Sequence, residues 1–314
     1  METVLITGGS GFLGRHLALK LKDKYRVILA ARNNGNNQLA QVKTGCIVTP
    51  MDITNVNSIY DAVNEFKPEI IIHAAATKYV DVSEQYPMEC IDINIIGSQN
   101  IARIAMGKGV KKVIGISTDK AGPPIGNLYG HSKAIMERMF CALDKKGDTR
   151  FVTVRFGNIA WSTGSVFPIW QRMVATQGKI ESTGSDQRRF FFLVSDATDL
   201  VITAMDNIDE FHGGILSTKM KAAQIKDILD VWTKEQNVTW QQIAARPGDK
   251  SDEVLVGAIE LAYTREIFIG DNHYYFIQFD KKQQNDLTSE IASYNAEKLS
   301  EEEISRIINT IPIL

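Results

Sequence analysis

Three cysteines in 314 residues, Cys46, Cys90 and Cys141, are too few and of the wrong parity for a disulfide framework. None stands in a CxxC pair or at zinc-ligand spacing from a histidine, so the three read as reduced core thiols and no metal site is expected. Long uncharged runs are also missing: no stretch approaches the roughly 20 apolar residues that a membrane span requires. The first apolar run, Thr3-Val4-Leu5-Ile6-Thr7, follows no basic leader with an apolar core, so a soluble cytoplasmic protein is expected. Charge of one sign is not in excess. Thirty-five Lys and Arg stand against 37 Asp and Glu, a net charge of -2, with no basic stripe, so nucleic acid is not expected as a partner. Internal repeats, low-complexity tracts and a Pro/Ser-rich linker are absent too.

What the chain does have is enough apolar residue, 44%, to bury a full core. Up to about Asn158, short Val/Ile-rich runs alternate with longer segments of helical period, the pattern of βαβ units around a buried parallel sheet. Strands are expected near Val4–Thr7, Arg26–Ala30, Cys46–Pro50, Glu69–His73, Lys112–Ile116 and Phe151–Arg155. Val56, Ile59, Val63 and Phe66 make a helical face that Thr54 can cap and Pro68 stops. Beyond Asn158 the alternation loosens. The expectation is an α/β fold: a Rossmann-type doubly wound parallel sheet over residues 1–158, and a smaller mixed α/β substrate lobe over 159–314, interleaved without a linker. Ser300 and Glu303 form a capping box for the last helix.

Directly after the first strand comes Thr7-Gly8-Gly9-Ser10-Gly11-Phe12-Leu13-Gly14, which runs into a helical segment. Glycines there let the backbone turn tightly and approach a pyrophosphate, while the helix N-terminus presents free N–H groups. The second strand ends at Arg32 with no acidic residue for a ribose 2′-hydroxyl, and a cation stands where a 2′-phosphate would sit. NADP is therefore favoured, with NAD as the second choice. Asp52-Ile53, just past the third strand, lies where an adenine contact or a simple turn would be.

The fifth strand runs into Ser117-Thr118-Asp119-Lys120, and Tyr129 and Lys133 follow four residues apart on one helix face. A neighbouring ammonium can lower a phenol from its reference of about 10, so that a tyrosinate serves as base near neutral pH. The position, at the carboxyl ends of parallel strands, is where a bound dinucleotide would meet its substrate.

These motifs resemble those of the soluble UDP-N-acetylglucosamine 4,6-dehydratases, members of the extended short-chain dehydrogenase/reductase superfamily. The likeness spans nearly the whole chain. It includes the Gly loop, Ala74-Ala75-Ala76-Thr77-Lys78, Asn94 within Asp92–Gly97, Ser117–Ala121, Asn127–Gly130, Arg155-Phe156-Gly157-Asn158, Gly164-Ser165-Val166, Arg189-Phe190, Arg246–Lys250 and Ser293-Tyr294-Asn295. The resemblance implies that Tyr129 takes the 4-hydroxyl proton, that Lys120 removes the C5 proton, and that Asp119 protonates the departing 6-hydroxyl. It places Lys133 on the nicotinamide ribose and Thr118 on the sugar or the tyrosine. Ala74, Ala75, Ala76 and Asn94 join the cofactor set, and Lys78, Asn158, Arg189, Arg246 and Glu253 hold the UDP-sugar. Lys120 must be partly neutral to act as base, and burial beside Lys133 would lower it. A homo-oligomer is expected. The family usually carries Asp-Pro-x-Met-Thr-Arg-Phe where this chain has Gly184-Ser185-Asp186-Gln187-Arg188-Arg189-Phe190, and a histidine near Glu253 is replaced. Two rivals need less: a 4-epimerase or reductase needs only the Gly loop, Tyr129 and Lys133, and a non-catalytic NADP-binding regulator needs only the loop.

Overall fold

The computed structural model describes residues 1–244 and 249–313. The six expected strands form as β1 (Thr3–Thr7), β2 (Arg26–Ala31), β3 (Ile47–Pro50), β4 (Ile70–His73), β5 (Lys112–Ile116) and β6 (Arg150–Arg155). All are parallel, in the order 3-2-1-4-5-6, so the order reverses between β1 and β4. Every residue of β1 and β4 is buried because helices cover both faces, which is why these strands read as unbroken apolar runs.

The sheet does not stop at residue 158. Strand Gly214–Thr218 adds in parallel to β6, and the hairpin Thr264–Ile269/Asn272–Ile277 continues antiparallel, for nine strands in all. The second half therefore supplies part of the Rossmann sheet as well as a separate body. That body gathers small sheets, Asn158–Ile159/Arg188–Phe192/Ala222–Gln224 and Lys179–Ser182/Thr239–Gln242, around Trp161, Phe167, Trp170 and Trp232.

Local signals mostly hold. Ser300 and Glu303 form the reciprocal capping box of helix Glu301–Asn309, which buries Ile304, Ile307 and Ile308. Helix Val56–Phe66 is capped by Asn55 instead of Thr54: Asn55 Oδ1 accepts from the Asn57 and Ser58 amides at 3.0 and 3.3 Å. Thr54 donates its hydroxyl to Asp52 Oδ1 at 2.8 Å. All three cysteines are free and buried. No described helix is long and apolar enough to cross a membrane.

One buried polar cluster ties the halves together. The Arg155 guanidinium, 1% exposed, reaches Glu137 at 2.9 and 2.7 Å, Glu260 at 2.7 and 2.9 Å, and the Leu255 carbonyl at 2.8 Å. Removing one partner of a buried ion pair strands the others without countercharge. Arg155→Met is expected to lower unfolding free energy by about 3–5 kcal/mol in denaturant titration, and replacing Glu137 and Glu260 by apolar residues as well should recover most of it.

Candidate active site

A cleft of ≈ 730 Å³ opens over the carboxyl ends of β1 and β4, at the point where strand order reverses. One end is built by the Gly loop. Gly8 turns with φ +67°, and a Cβ there would come within 2.9 Å of the Ala75 backbone, so the loops after β1 and β4 are packed against each other. A Cβ on Gly14 would lie 2.6 Å from the Gly9 carbonyl oxygen, so only glycine lets helix Phe12–Leu21 pack this close against the backbone of the loop that precedes it. Gly11 caps that helix, and Gly8, Ser10, Gly11, Phe12, Leu13 and Gly14 all face the cleft. Thr7 and Gly9 sit behind. The Thr7 hydroxyl pairs with His73 Nδ1 at 2.8 Å and accepts from the Ala75 amide at 3.1 Å, fixing the loop after β4.

Further along, Arg32, Asp52, Ile53, Ala74, Ala75 and Ala76 line the cleft. Arg32 is exposed at its rim. Asp52 Oδ1 accepts from the Thr54 amide at 2.9 Å, so this carboxylate also performs the turn role. Asn94 does not reach the cleft. It is buried, accepting from the Thr77 amide at 2.9 Å and donating to the Thr77 carbonyl at 3.0 Å and to Ser132 Oγ at 2.9 Å. It thereby joins the loop after β4 to the helix carrying Tyr129.

The chemical end is assembled by two short-range devices. The Ser117 amide donates to the Val154 carbonyl and the Asp119 amide to the Phe156 carbonyl, at 2.7 and 2.9 Å, extending the β5–β6 register past the strand ends. Asn127 caps helix Leu128–Leu143 through the Gly130 amide at 2.8 Å, which sets Tyr129 and Lys133 on the first turns. Thr118, Lys120, Tyr129 and Lys133 line the cleft. Lys120 Nζ lies 3.0 Å from Asp119 Oδ1, which also accepts from the Thr118 hydroxyl at 3.0 Å. Asp119 Oδ2 is buried and has no hydrogen-bond partner among the described residues.

The electrostatics differ from the sequence expectation in three ways. Burial alone would lower the Lys120 ammonium, but the charges of Asp119 and Glu253 outweigh it and hold it above the usual lysine range. The Tyr129 phenol is pushed up to about 12 by burial. Lys120 and a hydrogen bond with the Thr118 side chain oppose that rise, so the cation acting on it is Lys120, not Lys133. Lys133 itself is lowered to about 8 by burial, against the pull of Glu137. Sequence spacing puts Tyr129 and Lys133 on one face but does not show that Lys120 approaches from the strand end.

Of the residues assigned to the sugar nucleotide, Lys78 and Asn158 line the cleft. Lys78 Nζ donates to the Thr163 carbonyl across it, and Asn158 Nδ2 to the Phe190 carbonyl at 3.2 Å. Arg189 and Glu253 stand away from the cleft wall. The Arg189 guanidinium donates to the Lys250 and Ser251 carbonyls at 2.8 and 3.2 Å and to Gln187 Oε1 at 2.7 Å, and Glu253 turns toward Lys120. Arg246 lies outside the described residues. Tyr79, Ser162 and Thr163 also line the cleft, and nothing in the sequence context of Ser162 and Thr163 marks them out.

The chain is 32% identical to the UDP-N-acetylglucosamine 4,6-dehydratase (inverting) of Campylobacter jejuni, over 87% of this chain and 82% of that one. It is 30% identical to the UDP-glucose 4-epimerase of Rickettsia bellii, over 98% and 95% of the two chains. The X-ray structure of Pen from Bacillus thuringiensis superposes with a TM-score of 0.89 at 28% identity, covering 98% of this chain and 96% of that one. Fold, cleft and relatives together define an enzyme of the nucleotide-sugar epimerase and dehydratase class, built on the short-chain dehydrogenase/reductase fold. More narrowly, residues 4–269 match the profile described as polysaccharide biosynthesis protein, and the chain belongs to that family.

Proposed function

We propose that the protein is an NADP-dependent UDP-N-acetylglucosamine 4,6-dehydratase. The observation that carries this reading is the Asp119–Lys120 pair, joined at 3.0 Å, with Lys120 lining the cleft beside Tyr129 and Asp119 buried directly behind it. A 4-epimerase has no step that uses a second acid–base pair, whereas elimination of water needs both members.

A nicotinamide dinucleotide suits the Gly-loop end of the cleft, whose missing side chains and open helix N-terminus match a pyrophosphate. When bound, it supplies a hydride acceptor at C4 of the sugar and the same hydride for C6. Tyr129 accepts the proton of the 4-hydroxyl. Passing one proton from Lys120 Nζ to Asp119 Oδ1 creates a neutral amine and a carboxylic acid in one move, without changing the charge of a buried site. Lys120 then takes the C5 proton as the C5–H bond breaks, and Asp119 gives its proton to the departing 6-hydroxyl, which leaves as water. Lys120 returns its proton to C5 of the 4-ketone. Relative to the starting ammonium–carboxylate pair, Tyr129 ends with one proton more and Lys120 with one fewer, and the Thr118 hydroxyl, which bonds both Tyr129 and Asp119, links the two ends for the proton's return. Lys78, Asn158 and Arg246 remain to hold the UDP-sugar, and Lys133 the nicotinamide ribose.

UDP-N-acetylglucosamine with a catalytic amount of NADP is expected to give a 4-keto-6-deoxy product, seen as a new methyl signal in proton NMR, without net cofactor consumption. Stoichiometric use of NADPH, or a 4-epimer alone, would overturn the reading. Arg32→Ala is expected to weaken NADP binding by about tenfold while leaving NAD binding nearly unchanged, in a fluorescence titration of the two cofactors. Equal loss for both would remove Arg32 from the 2′-phosphate site.

A further inference from the structure

Glu253 was expected on the UDP moiety, yet its side chain is 3% exposed and its Oε1 lies 3.3 Å from Lys120 Nζ and 3.8 Å from Arg189 Nε. Its second oxygen, Oε2, is buried and accepts no hydrogen bond among the described residues. The backbone explains how this carboxylate gets there. Gly122 closes the turn after Lys120, and a Cβ on it would lie 2.0 Å from the Val254 carbonyl, so only glycine lets strand Val254–Val256 lie against the catalytic turn. The Glu253 amide donates to Ser293 Oγ at 3.0 Å, and the Ser293 amide donates to the Glu253 carbonyl at 2.8 Å. The residue is pinned on both sides, with its side chain aimed at Lys120.

We propose that Glu253 is a positioning residue that holds Lys120 against Asp119 and sets how many protons that pair carries, a role that rests on the dehydratase reading. Lys120 is flanked by two carboxylates, one from the strand end of the Rossmann sheet and one from the second half of the chain. Arg189 balances the second negative charge, and Tyr129 and Lys250 are the other titratable groups whose charge is felt in the cluster. A negative charge beside the pair raises the proton affinity of both members, so it keeps the proton that Lys120 and Asp119 exchange on the pair at higher pH. The same charge holds the ammonium in line for transfer to Asp119 Oδ1. Loss of the charge leaves the positive charges of Arg189 and Lys250 unopposed by Glu253 and lowers both affinities.

The test compares wild type with the near-isosteric Glu253→Gln and the charge-preserving Glu253→Asp. Three quantities are measured: UDP affinity, the pH profile of dehydration, and the titration of the Lys120 side chain by ¹³Cε NMR, assigned with Lys120→Arg. Glu253→Gln is expected to bind UDP within about threefold of wild type, with kcat down at least about tenfold at the wild-type optimum. Both limbs of its pH profile should move by about one unit or more toward acid, and the Lys120 midpoint should fall by a similar amount. Glu253→Asp should retain most of the wild-type profile. A tenfold or greater loss of UDP affinity with the Lys120 titration unmoved would overturn the proposal and return Glu253 to the substrate. If wild type does not dehydrate UDP-N-acetylglucosamine, the functional reading fails by itself. The Lys120 titration then still decides whether Glu253 governs the pair.

Discussion

Lys120→Arg is expected to fold, to bind dinucleotide like wild type, and to lose dehydratase turnover by roughly 10²–10⁴-fold. A guanidinium does not give up its proton in a protein, so it cannot take the C5 proton, yet it keeps a positive charge between Asp119 and Glu253. That distinction matters because Asp119 is 1% exposed and Glu253 2%. Lys120→Ala would strand two buried carboxylates and cost about 3–5 kcal/mol of stability in addition to the chemistry. The arginine variant separates the two effects. In single-turnover absorbance with NADP and UDP-N-acetylglucosamine, it should still build up reduced nicotinamide, since oxidation at C4 precedes elimination. Turnover within tenfold of wild type would exclude Lys120 as the base.

Tyr129→Phe is expected to fail one step earlier. It should lose roughly 10²–10⁴-fold in turnover with no reduced nicotinamide accumulating at all, because the 4-hydroxyl proton has nowhere to go. Burial pushes the wild-type phenol up to about 12, so it is protonated at neutral pH. Added positive charge in the cleft must bring it down for catalysis, and NADP⁺ binding should therefore shift the tyrosinate absorbance titration toward lower pH in wild type but not in the variant. The linkage sign follows from a folded value above the unfolded reference of about 10. The stabilising preference for the neutral phenol is intact below pH 10 and is lost as pH rises toward 12. Tyr129→Phe should flatten the decline of the denaturation midpoint across that window.

The central strands β1 and β4 were legible because both of their faces are buried, which leaves a nearly pure apolar run in the sequence, and the edge strand β3, exposed at Ile47 and Pro50, was legible from its place in the alternation. The Gly loop was legible for a related reason: its function depends on absent side chains, and absence is visible residue by residue. Gly214–Thr218 and the hairpin from Thr264 to Ile277 were not placed in the same sheet. Pairing partners 56 to 62 residues away leave no periodic mark of their own, and Tyr274 and Tyr275 in the hairpin read equally well as surface strand. The catalytic side chains could be named but their couplings could not. That Lys120 lies between Asp119 and Glu253 depends on a strand 130 residues on being docked by Gly122, and that Tyr129 answers to Lys120 depends on the same turn. Arg189 was assigned to the sugar nucleotide by resemblance alone, and nothing in the sequence signalled that its guanidinium donates to Gln187 and to the Lys250 and Ser251 carbonyls.

The most direct measurement of the central claim follows a label through the reaction. UDP-N-acetylglucosamine carrying deuterium at C4 is incubated with the enzyme and a catalytic amount of NADP, and the product is read by proton and deuterium NMR. Because the hydride leaves C4 and reappears at C6 while Lys120 and Asp119 manage the protons, the deuterium should be found in the 6-methyl group of a 4-keto sugar. Deuterium returned to C4 of an intact hexose would instead identify an epimerase and contradict the role given to the Asp119–Lys120 pair.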